Sequence, residues 1–237
     1  MYWSILPYYI RMFPASRLTS SDRVVYRGHA ALALMLVMAP RVQAQVPLSE
    51  TTFKQFGSSK GTVILQVNWG RYWKCGPYEN AQLQQLAFRH LGENGESLSD
   101  KDWELSPSST LLVKPSFEPY VVLLEPGQYA LSGFKFKVAA SRSDVRVAEV
   151  DSSKLIVDGK AVGGLFTVAA GEVVYIGHFG VDCNGVPTPW RFYIEGKEEF
   201  DRYVDGFHKR FPFAKDIAVT YRLFQTERLG QPYALLK

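Results

Sequence analysis

The chain has 237 residues, 27 Lys and Arg against 23 Asp and Glu, and 14% aromatic side chains. Five arginines (Arg11, Arg17, Arg23, Arg27 and Arg41) and one acid, Asp22, lie in the first 44 residues, so the other 193 residues carry 22 charges of each sign. That balance excludes the concentrated basic face of a nucleic-acid-binding protein, and the length fits one domain with short appendages.

The longest apolar run is Ala30 to Ala39, preceded by Arg23, Arg27 and His29 and followed by Val42-Gln43-Ala44. Basic flank, short apolar stretch and small residues at the first and third places are the grammar of a secretory signal. About 10 apolar residues are too few for the ~20 that span a bilayer. The expectation is a leader over 1–44, with its signal peptide at 22–44, cleaved after Ala44 to give a periplasmic or secreted protein starting at Gln45. The 22 residues upstream of the basic flank are aromatic-rich and unpatterned, which points to a start at Val24 or Val25 or to a long basic region. No other segment has the length and apolarity of a transmembrane helix.

After the leader, 45–60 reads as an irregular lead-in. Thr62 to Trp69 reads as a strand with Val63, Leu65, Val67 and Trp69 on one face. Gly70 to Asn80 reads as a loop dense in aromatics. Ala81 to Leu91 fits both helical and strand spacing; propensity favours helix, the surrounding strands favour strand, and strand is the preferred assignment. Gly92 to Pro107 is a polar loop carrying Trp103. Leu111 to Val113 and Val121 to Leu124 are short strands. Pro126-Gly127 predicts a type II turn into a long strand over Gln128 to Val138, and Ser141 to Asp144 predicts a turn before Val145 to Val147. Leu155 to Val162 reads as a hairpin about Asp158-Gly159. Phe166 to Val168 and Val173 to Gly177 read as two strands of a central hairpin, joined by the turn Ala169-Ala170-Gly171-Glu172. Glu198 to Phe211 is an amphipathic helix, with Phe200, Tyr203, Val204 and Phe207 on one side and Pro212 ending it. Ala218 to Phe224 closes as a strand.

The pair Pro126-Gly127-Gln128-Tyr129-Ala130-Leu131 and Ala170-Gly171-Glu172-Val173-Val174-Tyr175-Ile176 resembles a group of uncharacterised bacterial envelope domains. In these, a PGxYxL turn-strand is followed by an AGxxYY turn-strand within a small β-sandwich. The likeness covers about residues 60 to 185, and Val174 stands where the group often has its first Tyr. It implies a fold and an envelope location, not a reaction.

The expected fold is therefore mainly β: an antiparallel β-sandwich of immunoglobulin or prealbumin type over 61–194, with a C-terminal amphipathic helix and closing strand over 195–237 packed on the same domain. Cys75 and Cys183 are the only cysteines. An exported chain with an even count predicts a disulfide between them, tying the loop after the first strand to the loop after the central hairpin. His178 and Asp182 share a strand face and are the residues a hydrolase would use. Yet two ligands do not close a zinc site, no G-x-S-x-G elbow supplies a nucleophile, and Gly163-Gly164 lacks the Lys of a phosphate loop. No cofactor or metal is expected. Trp69, Arg71, Tyr72, Trp73, Tyr78, Trp190 and Arg191, with Trp103, are the candidate ligand-binding side chains, because aromatics interleaved with Arg make contact hot spots and stack on sugars. The leading reading is a non-enzymatic envelope binding or interaction module whose partner is an envelope protein or a glycan. A hydrolase using His178 and Asp182, and a structural subunit of an envelope complex, are the alternatives.

Overall fold

The structure is a computed structural model and describes residues 48–108, 117–183, 187–192, 196–226 and 229. The expected leader and the expected strand at 111–113 lie outside the described residues.

The architecture starts from β1 (Gly61–Asn68), whose sequence alternates for two different partners. Val63, Leu65 and Val67, with Trp69 just after the strand, enter one buried cluster, whereas Ile64 enters a second. A strand buried on both faces is a central strand. β1 accordingly has neighbours on both sides: β5 (Phe117–Leu124), antiparallel, and β9 (Val173–Asp182), parallel. β10 (Thr188–Phe192) and β11 (Val219–Tyr221) share the far edge of β9, the first antiparallel and the second parallel. The second sheet is antiparallel throughout. Its spine is β3 (Tyr78–Leu91) against β6 (Gly127–Ala139). β2 (Arg71–Cys75) and β4 (Trp103–Leu105) line one edge, and β7 (Val145–Val150) and β8 (Leu165–Val168) the other.

Side chains from both sheets fill one apolar cluster: Leu83, Leu86 and Phe88 of β3 and Leu131, Phe134 and Phe136 of β6 join the inward residues of β1 and β9. The other face of the first sheet is covered by α3 (Gly196–Arg210) and a 3-10 turn at Pro212–Ala214. There Ile64, Val173 and Tyr175 bury Phe207, Phe211 and Ala214.

Several expectations are corrected. The first sheet is mixed, so the protein is mainly β but not wholly antiparallel. The turn at Ala169–Glu172 exists, but β8 and β9 do not pair with each other: β8 joins the second sheet and β9 the first. That step brings β9 beside β1 in the same direction, a pairing no tight turn can make. Residues 45–60 are not wholly irregular, because α1 spans Glu50–Phe56. Ser49 Oγ accepts from the Thr52 amide at 3.2 Å and Thr52 Oγ1 accepts from the Ser49 amide at 2.9 Å, a reciprocal cap with Thr where Glu or Gln is usual. The aromatic loop is mostly strand: β2 turns through Gly76-Pro77 into β3, with Lys74 and Gly76 both at φ 58°. Trp103 lies on β4 rather than in a loop. Leu155 ends a short helix, α2 (Ser152–Leu155), capped by Asp151. The Asp158-Gly159 turn does form, with φ of 51° and 73°, but it closes only a single bridge, Val157 to Lys160. Gly127 sits at φ 149° at the head of β6 rather than near the +80° of a type II turn. A side chain there would strike the His90 ring, whose Nε2 would lie 2.3 Å from the added Cβ. Residues 81–91 are strand, as preferred.

Candidate functional site

β2 carries the candidate aromatic site. Alternation along an edge strand puts Arg71 and Trp73 on one side and Tyr72 on the other. Trp73 is 66% exposed, and the Arg71 guanidinium lies 5.5 Å from its ring centroid. Such a cation–ring pair is weak in water and strengthens when a ligand covers it. Two residues on, Cys75 is fully buried and bonded to Cys183, which follows the end of β9. The disulfide thus joins the two sheets beside the exposed pair.

The other aromatics divide by burial. Trp69 is 1% exposed, so it presents no face to a ligand. Its indole N–H donates to the Tyr120 hydroxyl at 2.9 Å, and its carbonyl accepts from Gln82 Nε2 at 2.9 Å. Tyr72 is half-buried, its hydroxyl accepts from Asn68 Nδ2 at 3.2 Å, and burial raises its pKa. Tyr78 and Trp103 pack against the shared core, Trp103 stacked on Phe88 at 5.2 Å. Trp190 and Arg191 sit on β10 opposite Gly180 and Phe179 of β9, and their side chains lie outside what is described. Of the predicted set, Arg71 and Trp73 are brought together at the surface, while Trp69 is a core residue. Alternation could have separated Trp69 from the others, since it shares the buried parity of Val63, Leu65 and Val67.

His178 is placed by an irregularity in β9. Ile64 pairs with Tyr175 but Gln66 pairs with His178, so β9 carries one extra residue, at Gly177 with φ 111°. This bulge switches the strand's parity. Val174 and Ile176 before it and Phe179 and Val181 after it all enter the shared core. His178 therefore turns toward α3, against Phe117 at 4.9 Å, Tyr175 at 5.5 Å and Tyr203 at 5.6 Å. Asp182 keeps the same parity but lies four residues along an extended strand, roughly 13 Å away at ~3.3 Å per residue. No hydrogen bond joins the two among the described residues, so they do not form a dyad. No group of three or more His, Cys, Asp or Glu that could hold a metal ion is present among the described residues.

Burial pushes the His178 pKa from 6.5 down to about 4, and its Nε2 has no hydrogen-bond partner among the described residues. Between those values the unfolded chain binds a proton that the folded chain refuses. The stability associated with neutral His178 is therefore complete above pH 6.5 and lost as pH falls toward 4. At pH 4.5 the loss should be about 2–3 kcal/mol, from 1.36 kcal/mol per pKa unit. Urea unfolding at pH 7 and pH 4.5 checks this: His178→Phe should lose less stability than the parent over that interval, by that amount.

A third place was not foreseen from the sequence. α3 and the Ile64 face of the first sheet enclose an open cleft of about 270 Å³. Gln66 lines it from β1 and hydrogen-bonds Tyr203 of α3, whose phenol burial holds neutral well above its ordinary pKa. Arg202, Gly206 and Arg210 line the helix side. Their spacing of four and four residues is the signal the sequence carries for them, because it places all three on one helix face.

No protein-family model, no curated protein and no solved structure matches the chain.

Proposed function

We propose that the protein is an exported binding module of the bacterial envelope: a β-sandwich of its two sheets that offers Arg71 and Trp73 to a partner protein or glycan. The shared apolar core of the two sheets supports the sandwich. The Cys75–Cys183 disulfide supports an oxidising compartment, and the signal-like Ala30 to Ala44 stretch and the likeness to envelope domains point the same way. Among the described residues no helix is long and apolar enough to cross a membrane.

One observation carries the binding reading: a large aromatic left 66% exposed, with a guanidinium over it, on a strand clamped by a hairpin and a disulfide. Holding Trp73 in place before contact removes ordering costs that binding would otherwise meet. A tryptophan hot spot costs at least ~2 kcal/mol on truncation, about 30-fold in affinity. Trp73→Ala, alone and with Trp190→Ala, should weaken co-sedimentation of the purified protein with envelope fractions, both peptidoglycan sacculi and membranes, by about that factor. The unfolding midpoint of the single Trp73→Ala variant should not move, because an exposed side chain away from the core contributes within ~0.5 kcal/mol. Unchanged co-sedimentation of the folded double variant would remove the aromatic site from this role.

A further inference from the structure

We propose that the cleft between α3 and the β1–β5 face binds a free, single-chain anionic amphiphile: an apolar chain bearing a carboxylate. The site lies on the sheet that does not carry Arg71 and Trp73, and it does not rest on their role.

The floor is apolar. Ile64 is 1%, Phe207 5% and Phe211 9% exposed, and Val121 completes the surface from β5. An aliphatic chain laid there is removed from water, and the polar side chain on the sheet side, Gln66, keeps its hydrogen bond to Tyr203. The rim is cationic. Arg202 and Arg210 line the cleft, no acidic residue does, and neither arginine makes an ion pair among the described residues. By contrast Arg89, Arg146 and Arg222 each hold a carboxylate. Arg210 is close enough to Tyr203 for its charge to act on the phenol, and its guanidinium lies 5.3 Å from the centroid of the Phe211 ring, another lining residue of the cleft. A planar guanidinium with no intramolecular carboxylate is the preferred receptor for one from a ligand.

Gly206 supplies the opening between the two arginines. A Cβ at this position would meet nothing within 4 Å. Packing therefore does not demand glycine, and glycine in the middle of a helix weakens it. Its effect is to keep the wall low where a ligand would enter. The volume sets the size of the occupant. About 270 Å³ lies just under the ~300–1,000 Å³ of ordinary small-molecule sites, which suits one short chain and not a two-chain lipid.

Calorimetric titration of the purified full chain with decanoate, kept below micelle formation, tests the assignment. Saturable one-to-one binding is expected. Decanol and decyltrimethylammonium should bind at least ~10-fold more weakly, because each lacks the anion that an Arg contact discriminates by ~1.4 kcal/mol or more. Arg202→Gln with Arg210→Gln should reduce decanoate affinity by a similar factor, and Gly206→Leu should block the cleft. All three replacements are good helix formers, so a far-ultraviolet spectrum and an unfolding curve matching the parent would certify the fold. Trp73→Ala should leave decanoate binding unchanged. Absence of saturable binding, equal binding of the decyl cation, or undiminished binding by the folded Arg or Gly variants would overturn the proposal. So would binding to anionic lipid vesicles without binding to decanoate, which would make the arginines a surface contact only.

Discussion

Replacing Cys75 and Cys183 together by alanine is expected to lower the unfolding free energy by about 4–5 kcal/mol. The disulfide closes a loop of sequence separation 108. In the chain-entropy account its main effect is to restrict the unfolded chain, and that restriction grows with loop length. The loss is large beside the ~5–15 kcal/mol that stabilises a domain, and for a chain of this size it corresponds to a fall in melting temperature of about 8–20 °C. Urea unfolding curves of the parent with and without reductant, set beside those of the double variant, make the comparison. Reductant should bring the parent to the variant's midpoint and leave the variant where it is. A parent indifferent to reductant would show that the cross-link contributes little to folding stability.

Phe88→Ala should cost about 3–5 kcal/mol, the range for emptying a buried phenylalanine site. Phe88 is fully buried, and its ring meets Trp103 at 5.2 Å, Phe166 at 5.5 Å, Phe179 at 6.0 Å and Phe224 at 6.1 Å. These four come from β4, β8, β9 and the segment after β11. One side chain thus contacts both sheets and the closing segment. Rigid rings from four elements cannot collapse together into the space it leaves, so the upper half of the range applies. Phe88→Leu refills most of the volume and should cost clearly less. Equilibrium unfolding of both variants tests this, and equal losses for Ala and Leu would mean that the cavity is not the cause.

What the sequence made legible follows from how local its signals are. The alternation Val63, Leu65, Val67, Trp69 reported β1, the spacing Phe200, Tyr203, Val204, Phe207 reported α3, and an even count of two cysteines beside a signal-like stretch predicted the cross-link. Each is a pattern within one element or a count over the whole chain. Pairing was not local. The turn Ala169–Glu172 reads the same whether its strands pair with each other or pass to different sheets, so the local pattern predicts a hairpin of β8 and β9. The Gly177 bulge was hidden in the same way: without knowing that Ile64 and Gln66 span Tyr175 to His178, nothing shows that parity changes there. His178 and Asp182 therefore share a strand face by their spacing, but at a separation that an extended strand cannot bring into contact. α1 was missed because Thr52 replaces the Glu or Gln of the usual capping pattern. Arg202, Gly206 and Arg210 share a spacing of four, but two arginines and a glycine on an amphipathic helix have the same pattern as a solvated face, so the spacing alone does not mark a cleft.

The parallel pairing of β1 with β9 also bears on the order in which the protein can form. β1 is the first strand of the described chain, yet its antiparallel neighbour begins at Phe117 and its parallel neighbour at Val173. As the polypeptide is synthesised, Gly61–Asn68 waits for both partners and completes its second ladder only when more than a hundred further residues have appeared. Contacts of such high sequence separation make folding slow. The waiting segment, Gly-Thr-Val-Ile-Leu-Gln-Val-Asn, has no charge, no proline and strong β preference, a composition prone to stacking with copies of itself. The central strand of the native sheet is therefore also an aggregation liability of the nascent chain, and variants that delay its capture by β5 and β9 are expected to raise the yield of aggregate on refolding.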